Sequence, residues 1–260
     1  MKIGFIGAGK MAGAIIKGLE KTDFDIILSE TNLKRSQERA KDLGVSYAQS
    51  HQELIHQADL LVLGVKPQFL KQALEGLVID KPILSMAAGI SLETLAQLTT
   101  DSLPIIRIMP NLNAEILKST TAICRNPFVS DSLFETAQQI TDAFGSTFVL
   151  DEKDFDAFTA LAGSSPAYIA LFIEALAKAG VKYGFPKTTA LEIVTQTLLA
   201  TSENLLQSDQ SPNDFIDKVS SPGGTTVAGL LDLEKTGFTA STVSAIDATI
   251  NRSQQLSKRG

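Results

Sequence analysis

The sequence is short of several residues on which secreted, metal-dependent or histidine-driven proteins rely. Its 260 residues include one cysteine, Cys124, so no disulfide can close within the chain. A lone cysteine in an apolar run more often fills a strand core than attacks a substrate. Histidine occurs twice, at His51 and His56, and no metal site is expected. Basic residues are the minority, 23 Lys and Arg against 29 Asp and Glu, for a net charge of −6. That balance argues against nucleic acid or an anionic membrane as the main partner. No basic and apolar leader precedes the first strand pattern, and the apolar run from Ala167 to Ile173 is soon interrupted by Glu174 and Lys178. A soluble, cytoplasmic protein without a membrane span is therefore expected.

What is present is ordinary globular material, 44% hydrophobic and 20% charged, long enough for two modest domains with real cores. Lys2 to Ile6 reads as a short buried strand that runs into Gly7, Ala8, Gly9, Lys10, Met11 and Ala12, and then into a helical stretch from Gly13 to Leu19. Strand, glycine turn and helix, in that order, form the context that a dinucleotide-binding fingerprint requires. The glycines let a pyrophosphate approach the backbone, and the helix start offers amide hydrogens and partial positive charge. Ala12 takes the place of the third glycine as a permitted small residue.

Further β-rich runs follow at Asp25–Ser29, Asp59–Val65, Pro82–Ser85, Pro104–Met109, Ser119–Cys124 and Ser146–Val149, with helical segments between most of them. The alternation predicts a doubly wound, mainly parallel sheet. In such sheets ligands bind outside the carboxyl ends of the strands. Val65, Lys66 and Pro67 end one strand, Ala87, Ala88 and Gly89 follow another, and Asn111 follows a third. All are cofactor candidates, Asn111 as an amide partner for the nicotinamide ring. His51 stands at a helix start near the adenine edge. Glu30 falls about 20 residues after the glycines, where an acid accepts from the ribose 2′-hydroxyl of NAD. Asn32, Lys34 and Arg35 follow closely, and Lys34 and Arg35 are suited to the 2′-phosphate of NADP, so the choice between NADH and NADPH stays open.

From Lys153 onward the strand pattern stops and long helical stretches take over. The hydrophobic period changes there. The expected architecture is an α/β chain: residues 1–150 form a Rossmann-type doubly wound domain, and residues 151–260 an all-helical domain for dimerisation and substrate. Ala167, Ile169, Ala170, Leu171, Ile173, Ala175, Leu176, Ala177 and Ala179 make one helix apolar around most of its circumference. Such a helix must be covered on all sides, which predicts a homodimer.

Two small-residue clusters punctuate the helical half. Ser165 and Pro166 read as an N-cap followed by proline at the first helical position. Ser221, Pro222, Gly223, Gly224, Thr225 and Thr226 form a tight turn that opens onto another helix, a ready seat for a carboxylate or phosphate. Together the two helix starts could clasp a small anion.

The stretch VSSPGGTTVAGLLDLE from Val219 to Glu234 closely resembles the characteristic segment of pyrroline-5-carboxylate reductases. GFIGAGKMA, VKP, AAG, MPN and GSSPAY occur in the same order with compatible spacing, so the resemblance covers essentially the whole chain. It implies hydride transfer from NADPH or NADH to the C=N carbon of Δ1-pyrroline-5-carboxylate, giving L-proline. It further implies that the Thr226 hydroxyl bonds the ring nitrogen, that amides around Gly223, Gly224 and Thr225 hold the carboxylate, and that dimers assemble into a decamer. Ser165 stands where some members have glycine. The related β-hydroxyacid dehydrogenases carry a catalytic lysine on the long helix after the boundary, where this chain has none before Lys178. The absence of histidine from the helical half likewise disfavours a 2-hydroxy-acid dehydrogenase. A binding protein that kept the fold without turnover would have no need of Thr226 and the double glycine.

Overall fold

The computed structural model describes residues 1–257. The first part of the chain alternates β1 (Lys2–Ile6), α1 (Lys10–Leu19), β2 (Asp25–Ser29), α2 (Leu33–Leu43), β3 (Ser46–Tyr47), α3 (His51–Gln57), β4 (Leu60–Leu63), α4 (Pro67–Leu74), β5 (Ile83–Ser85), α5 (Leu92–Leu98) and β6 (Ile105–Met109). It continues with β7 (Ser119–Arg125), α6 (Asp131–Asp142) and β8 (Gly145–Val149). The strands form one sheet in the order β3-β2-β1-β4-β5-β6-β7-β8. All neighbours are parallel except β6 and β7.

Near-continuous apolar runs such as LLVL in β4 are what a parallel strand covered on both faces needs. Side-chain alternation divides them between two cores. Ile3, Phe5, Leu28, Leu60 and Val62 join α1 and α6 on one face, whereas Ile6, Ile27, Leu61 and Leu63 join residues of α3, α4 and α5 on the other. The expected strands are present, with the two-residue β3 added; it is too short to show a period. The antiparallel step follows a 3-10 turn, Leu112–Ile116, after which Leu117 takes φ 58° and the chain doubles back. Cys124 is buried among Ala122, Phe155, Phe158 and Ala162, and burial pushes its thiol up to about 12. It is a core residue.

After β8 the chain is helical: α7 (Phe155–Phe158), a π-helical turn (Thr159–Ser164), α8 (Ser165–Lys182), α9 (Lys187–Gln207), α10 (Pro212–Val219), α11 (Thr225–Lys235) and α12 (Phe238–Ser257). Two compact units divide the chain, one holding residues 1–163 with the last stretch from Ile250, the other residues 164–249. In the second unit α8 and α9 cross closely at small residues: a Cβ on Gly180 would lie 2.9 Å from that of Ala190. Much of the apolar surface stays open. Ile169, Leu171, Val181, Ile193 and Leu199 are all exposed, and Glu152–Lys182 contains an 18-residue window of mean hydropathy 1.4, long and apolar enough to cross a membrane by length and composition.

Ser165 is not an N-cap, because the helix arrives from upstream through the π turn, and Ser164 before it already has helical φ and ψ with no side-chain cap. Pro166 therefore sits in a continuing helix, where it has no N–H for the carbonyl of Ala162 one turn earlier. The Asn111 side chain meets that carbonyl, donating from Nδ2 at 2.9 Å. Its Oδ1 accepts from the N–H groups of Asn113 and Thr120. Replacing Asn111 by alanine leaves three buried or half-buried backbone groups unpaired. The expected loss is about 1–3 kcal/mol of unfolding free energy, measured by denaturant titration; an unchanged midpoint would contradict this role.

Candidate active site

The glycine turn after β1 is shaped by close backbone contacts. Gly7 has φ +81°, and its N–H donates to Ser29 O at 2.9 Å. Gly64, at the end of β4, donates to Ile6 O, and a Cβ there would fall 2.2 Å from Gly7 O and 3.1 Å from the Ala12 Cβ. Ala12 is buried in the core, so its small size serves the packing of α1 on the sheet.

Gly9 is the N-cap of α1, with no side-chain cap and no acid in the first turn. The helix starts at Lys10, earlier than the apolar pattern from Gly13 indicated. Its first internal bond is Gly13 N–H to Gly9 O, leaving the amides of Lys10, Met11 and Ala12 without an acceptor inside the helix. A Cβ on Gly9 would meet nothing within 4 Å. Open amides beside open space fit the diphosphate of a dinucleotide.

Beside this turn lies a cavity of about 690 Å³ lined by Gly7, Gly9, Glu30, Thr31, Arg35 and His51, with Gly64, Val65, Lys66 and Phe69 along the β4–α4 side. Glu30 Oε1 accepts from the Ala8 N–H at 2.7 Å. Asn32 caps α2, accepting from Arg35 N–H at 3.0 Å. Lys34 faces away, within 4.0 Å of Glu38, and does not line this cavity. Pro67 opens α4. Ala87 is in the core, Ala88 is exposed, and Gly89 takes φ +76° in the next turn. Asn111 is 5% exposed with both ends of its amide engaged as described. Arg39 was not legible as a site residue: from the middle of α2 it donates Nε–H to Ala8 O at 2.7 Å, a pairing across 31 residues that carries no local signal.

In the second unit, α10 is closed at its start by a Ser211–Asp214 capping box. It ends at Val219, and the chain turns through Ser220 to Gly224. Ser220 Oγ is buried with no hydrogen-bond partner among the described residues. Gly223 has φ +69°, and Gly224 N–H closes the turn onto Ser221 O at 2.9 Å. A Cβ on Gly224 would lie 2.4 Å from Ser221 Oγ. Gly224 caps α11 with no side-chain bond and no acid follows, so the amides of Thr225 and Thr226 open this helix unpaired within it. Ser221, Pro222, Gly223 and Thr225 are exposed, and Gly224 and Thr226 are half-buried. Ser165 and Pro166, also half-buried, lie within the helical run rather than at a free helix start, so they offer no amide cradle of that kind.

Residues 152–256 match the family model described as pyrroline-5-carboxylate reductase dimerisation, and residues 2–89 match that of NADP oxidoreductase coenzyme F420-dependent. Pyrroline-5-carboxylate reductase from Synechocystis is 38% identical over 266 residues, covering 100% of this chain and 99% of the relative. The chain belongs to the pyrroline-5-carboxylate reductase family. Among family members, the enzyme from Pisum sativum is 35% identical over 98% of this chain and 96% of its own. The solved 1-pyrroline-5-carboxylate reductase from Streptococcus pyogenes superposes with a TM-score of 0.92 at 59% identity, covering 98% of each chain. The pyrroline carboxylate reductase of Plasmodium falciparum, solved with NADP bound, has a TM-score of 0.85 at 28% identity, covering 99% of this chain and 98% of that one.

The His51 ring bonds Ser29 Oγ through Nδ1 at 2.6 Å. Burial lowers its pKa from the ordinary 6.5, with the Glu30 carboxylate opposing that shift. The folded protein thus holds His51 neutral where the unfolded chain would protonate it. Unfolding therefore takes up a proton, and stability falls as pH drops below 6.5 toward the folded value. Between about pH 7 and about pH 5, the cofactor-free His51→Gln variant should lose less melting temperature than the parent. Equal losses would contradict a neutral buried imidazole.

Proposed function

We propose that this protein reduces the C=N bond of Δ1-pyrroline-5-carboxylate to L-proline, the last step of proline biosynthesis, with NADPH as hydride donor and NADH as an alternative. The reading is carried by a member of this family having, in its first unit, a glycine turn with open amides beside a cavity of about 690 Å³ and, in its second, another open helix start at Gly224–Thr226. The NADP-bound neighbour from Plasmodium falciparum supports the choice of cofactor.

Gly7, Gly9 and the first amides of α1 would hold the diphosphate, with Glu30, Arg35 and His51 around the adenosine ribose. The bound nicotinamide supplies the hydride. The amides of Thr225 and Thr226 would take the substrate carboxylate, and their partial positive charge favours that anion. The Thr226 hydroxyl would bond the ring nitrogen and orient the imine carbon. A C=N carbon is already electrophilic, so most of the rate can come from placing donor and acceptor at near-attack distance, and a weakly acidic hydroxyl suffices.

Self-association follows from the apolar face of α8 and α9, which the family's dimerisation region includes. We assign Glu152–Lys182 to that interface rather than to a membrane, and propose that dimers assemble further into a decamer. A cytoplasmic location is supported by the buried, unpaired Cys124.

Purified protein should oxidise NADPH only when the imine is present and release an equal amount of proline. Folded, cofactor-binding protein that yields none would end this reading. Thr226→Ala should lower imine turnover by about a hundredfold while the cofactor dissociation constant stays put. Undiminished turnover would remove Thr226 from the chemistry.

A further inference from the structure

Arg39 reaches the glycine turn from the middle of α2, and its guanidinium lies on the carbonyl side of that turn. Nε–H donates to Ala8 O at 2.7 Å, and Nη2 donates to Gly9 O at 3.4 Å. Asp42, three residues further along α2, stands 3.9 Å from Nη1 and steadies the outer edge of the fork. Each of the two carbonyls belongs to a peptide unit whose N–H points the opposite way, because the peptide bond is planar and trans. The unit that carries Ala8 O carries the Gly9 N–H, and the unit that carries Gly9 O carries the Lys10 N–H. Arg39 therefore sets the direction of two amides at the start of α1 from behind, without touching anything those amides bind. A cation on the oxygen also draws charge through the peptide unit and makes its N–H a better donor to an anion.

Room for this guanidinium is built into α1. Gly13 lies buried one turn into the helix, where glycine is a poor helix former. A Cβ there would fall 2.7 Å from Arg39 Nη2, whereas the next neighbour, Leu43 Cδ2, stands at an ordinary 3.6 Å. The guanidinium is the group that a side chain at this position would displace. Being the far end of a flexible side chain, it would swing away rather than break the helix.

We propose that Arg39 is a positioning residue for the cofactor diphosphate: by holding the carbonyls of Ala8 and Gly9 it aims the amides of Gly9 and Lys10 at the phosphates, and Gly13 keeps open the space it occupies. This rests on the reading of the turn as a dinucleotide site. It gives the arginine no contact with the cofactor, which separates it from a base that binds phosphate directly.

Titration of the purified protein with adenosine, ADP, 2′,5′-ADP and NADPH tests the assignment on the parent, Gly13→Ala, Arg39→Ala and the double variant. Alanine is the better helix former, so Gly13→Ala keeps α1 and the positive charge while moving the guanidinium off the carbonyls. Each single variant should bind ADP, 2′,5′-ADP and NADPH about tenfold more weakly and adenosine, which has no phosphate, as the parent does. The two substitutions break one arrangement, so the double variant should be no weaker than Arg39→Ala alone. Losses confined to 2′,5′-ADP and NADPH would make Arg39 a direct partner of the 2′-phosphate, and an equal loss for adenosine would make it a brace of the fold only. Additive losses would mean that Gly13 acts apart from Arg39. Each of these results overturns the assignment, as does unchanged ADP affinity in either single variant. Should Arg39→Ala fail to fold, Gly13→Ala decides alone by the same comparison of ADP with adenosine. A parent with no affinity for ADP or NADPH would remove the dinucleotide reading itself, whereas a parent that binds both beside unaltered variants removes only the role of Arg39.

Discussion

Everything in the nucleotide-binding unit depends on how closely the turn after β1 can approach the end of β4. Gly7 at φ +81° and Gly64, whose missing Cβ would overlap Gly7 O, let the two strand ends lie side by side. Ala12 then brings α1 down onto them. A side chain at either glycine would lift the turn and carry the α1 amides away from the cavity. Once the backbone is this close, longer side chains fix it in place: Glu30 accepts from Ala8 N–H, and Arg39 donates to Ala8 O. Both polar groups of one loop peptide segment are thereby satisfied from β2 and α2, and the amides one step further on are left for a ligand.

The helical unit repeats that logic with other residues. Gly223 at φ +69° and Gly224 close a turn that would clash with a larger residue at Gly224, and α11 begins with no cap and no acid. Contrast α10 immediately before it, whose Ser211–Asp214 box satisfies its own first amides. Of two consecutive helices, one is closed against ligands and the other is open. The difference lies in the side chains at the cap and in the first turn, which is why the SPGGTT segment can carry function while its neighbour carries stability.

Much of this was legible in the sequence because it is local. Alternating apolar runs fixed the strands, the glycine turn lay between a strand and a helix as a fingerprint requires, and the double glycine announced the start of α11. Long-range pairings were not legible. Ser165–Pro166 has the composition of a helix start, yet the chain is already helical from Phe155, and the carbonyl that Pro166 leaves unpaired is met by Asn111 from a distant loop. That same bond ties Asn111, read as a cofactor ligand from its place after β6, to a partner 51 residues away. Arg39 and the Ser29–His51 bond went unseen for the same reason: partners far apart in sequence leave no period or motif.

In the proposed function two open helix starts divide the work, one holding the cofactor diphosphate and the other the substrate carboxylate. A crystal structure with oxidised cofactor and L-proline bound tests it most directly. Diphosphate oxygens are expected on the amides that follow Gly9 and the proline carboxylate on the amides of Thr225 and Thr226, with the Thr226 hydroxyl toward the ring nitrogen. Proline bound away from that turn, or a diphosphate away from the start of α1, would contradict it.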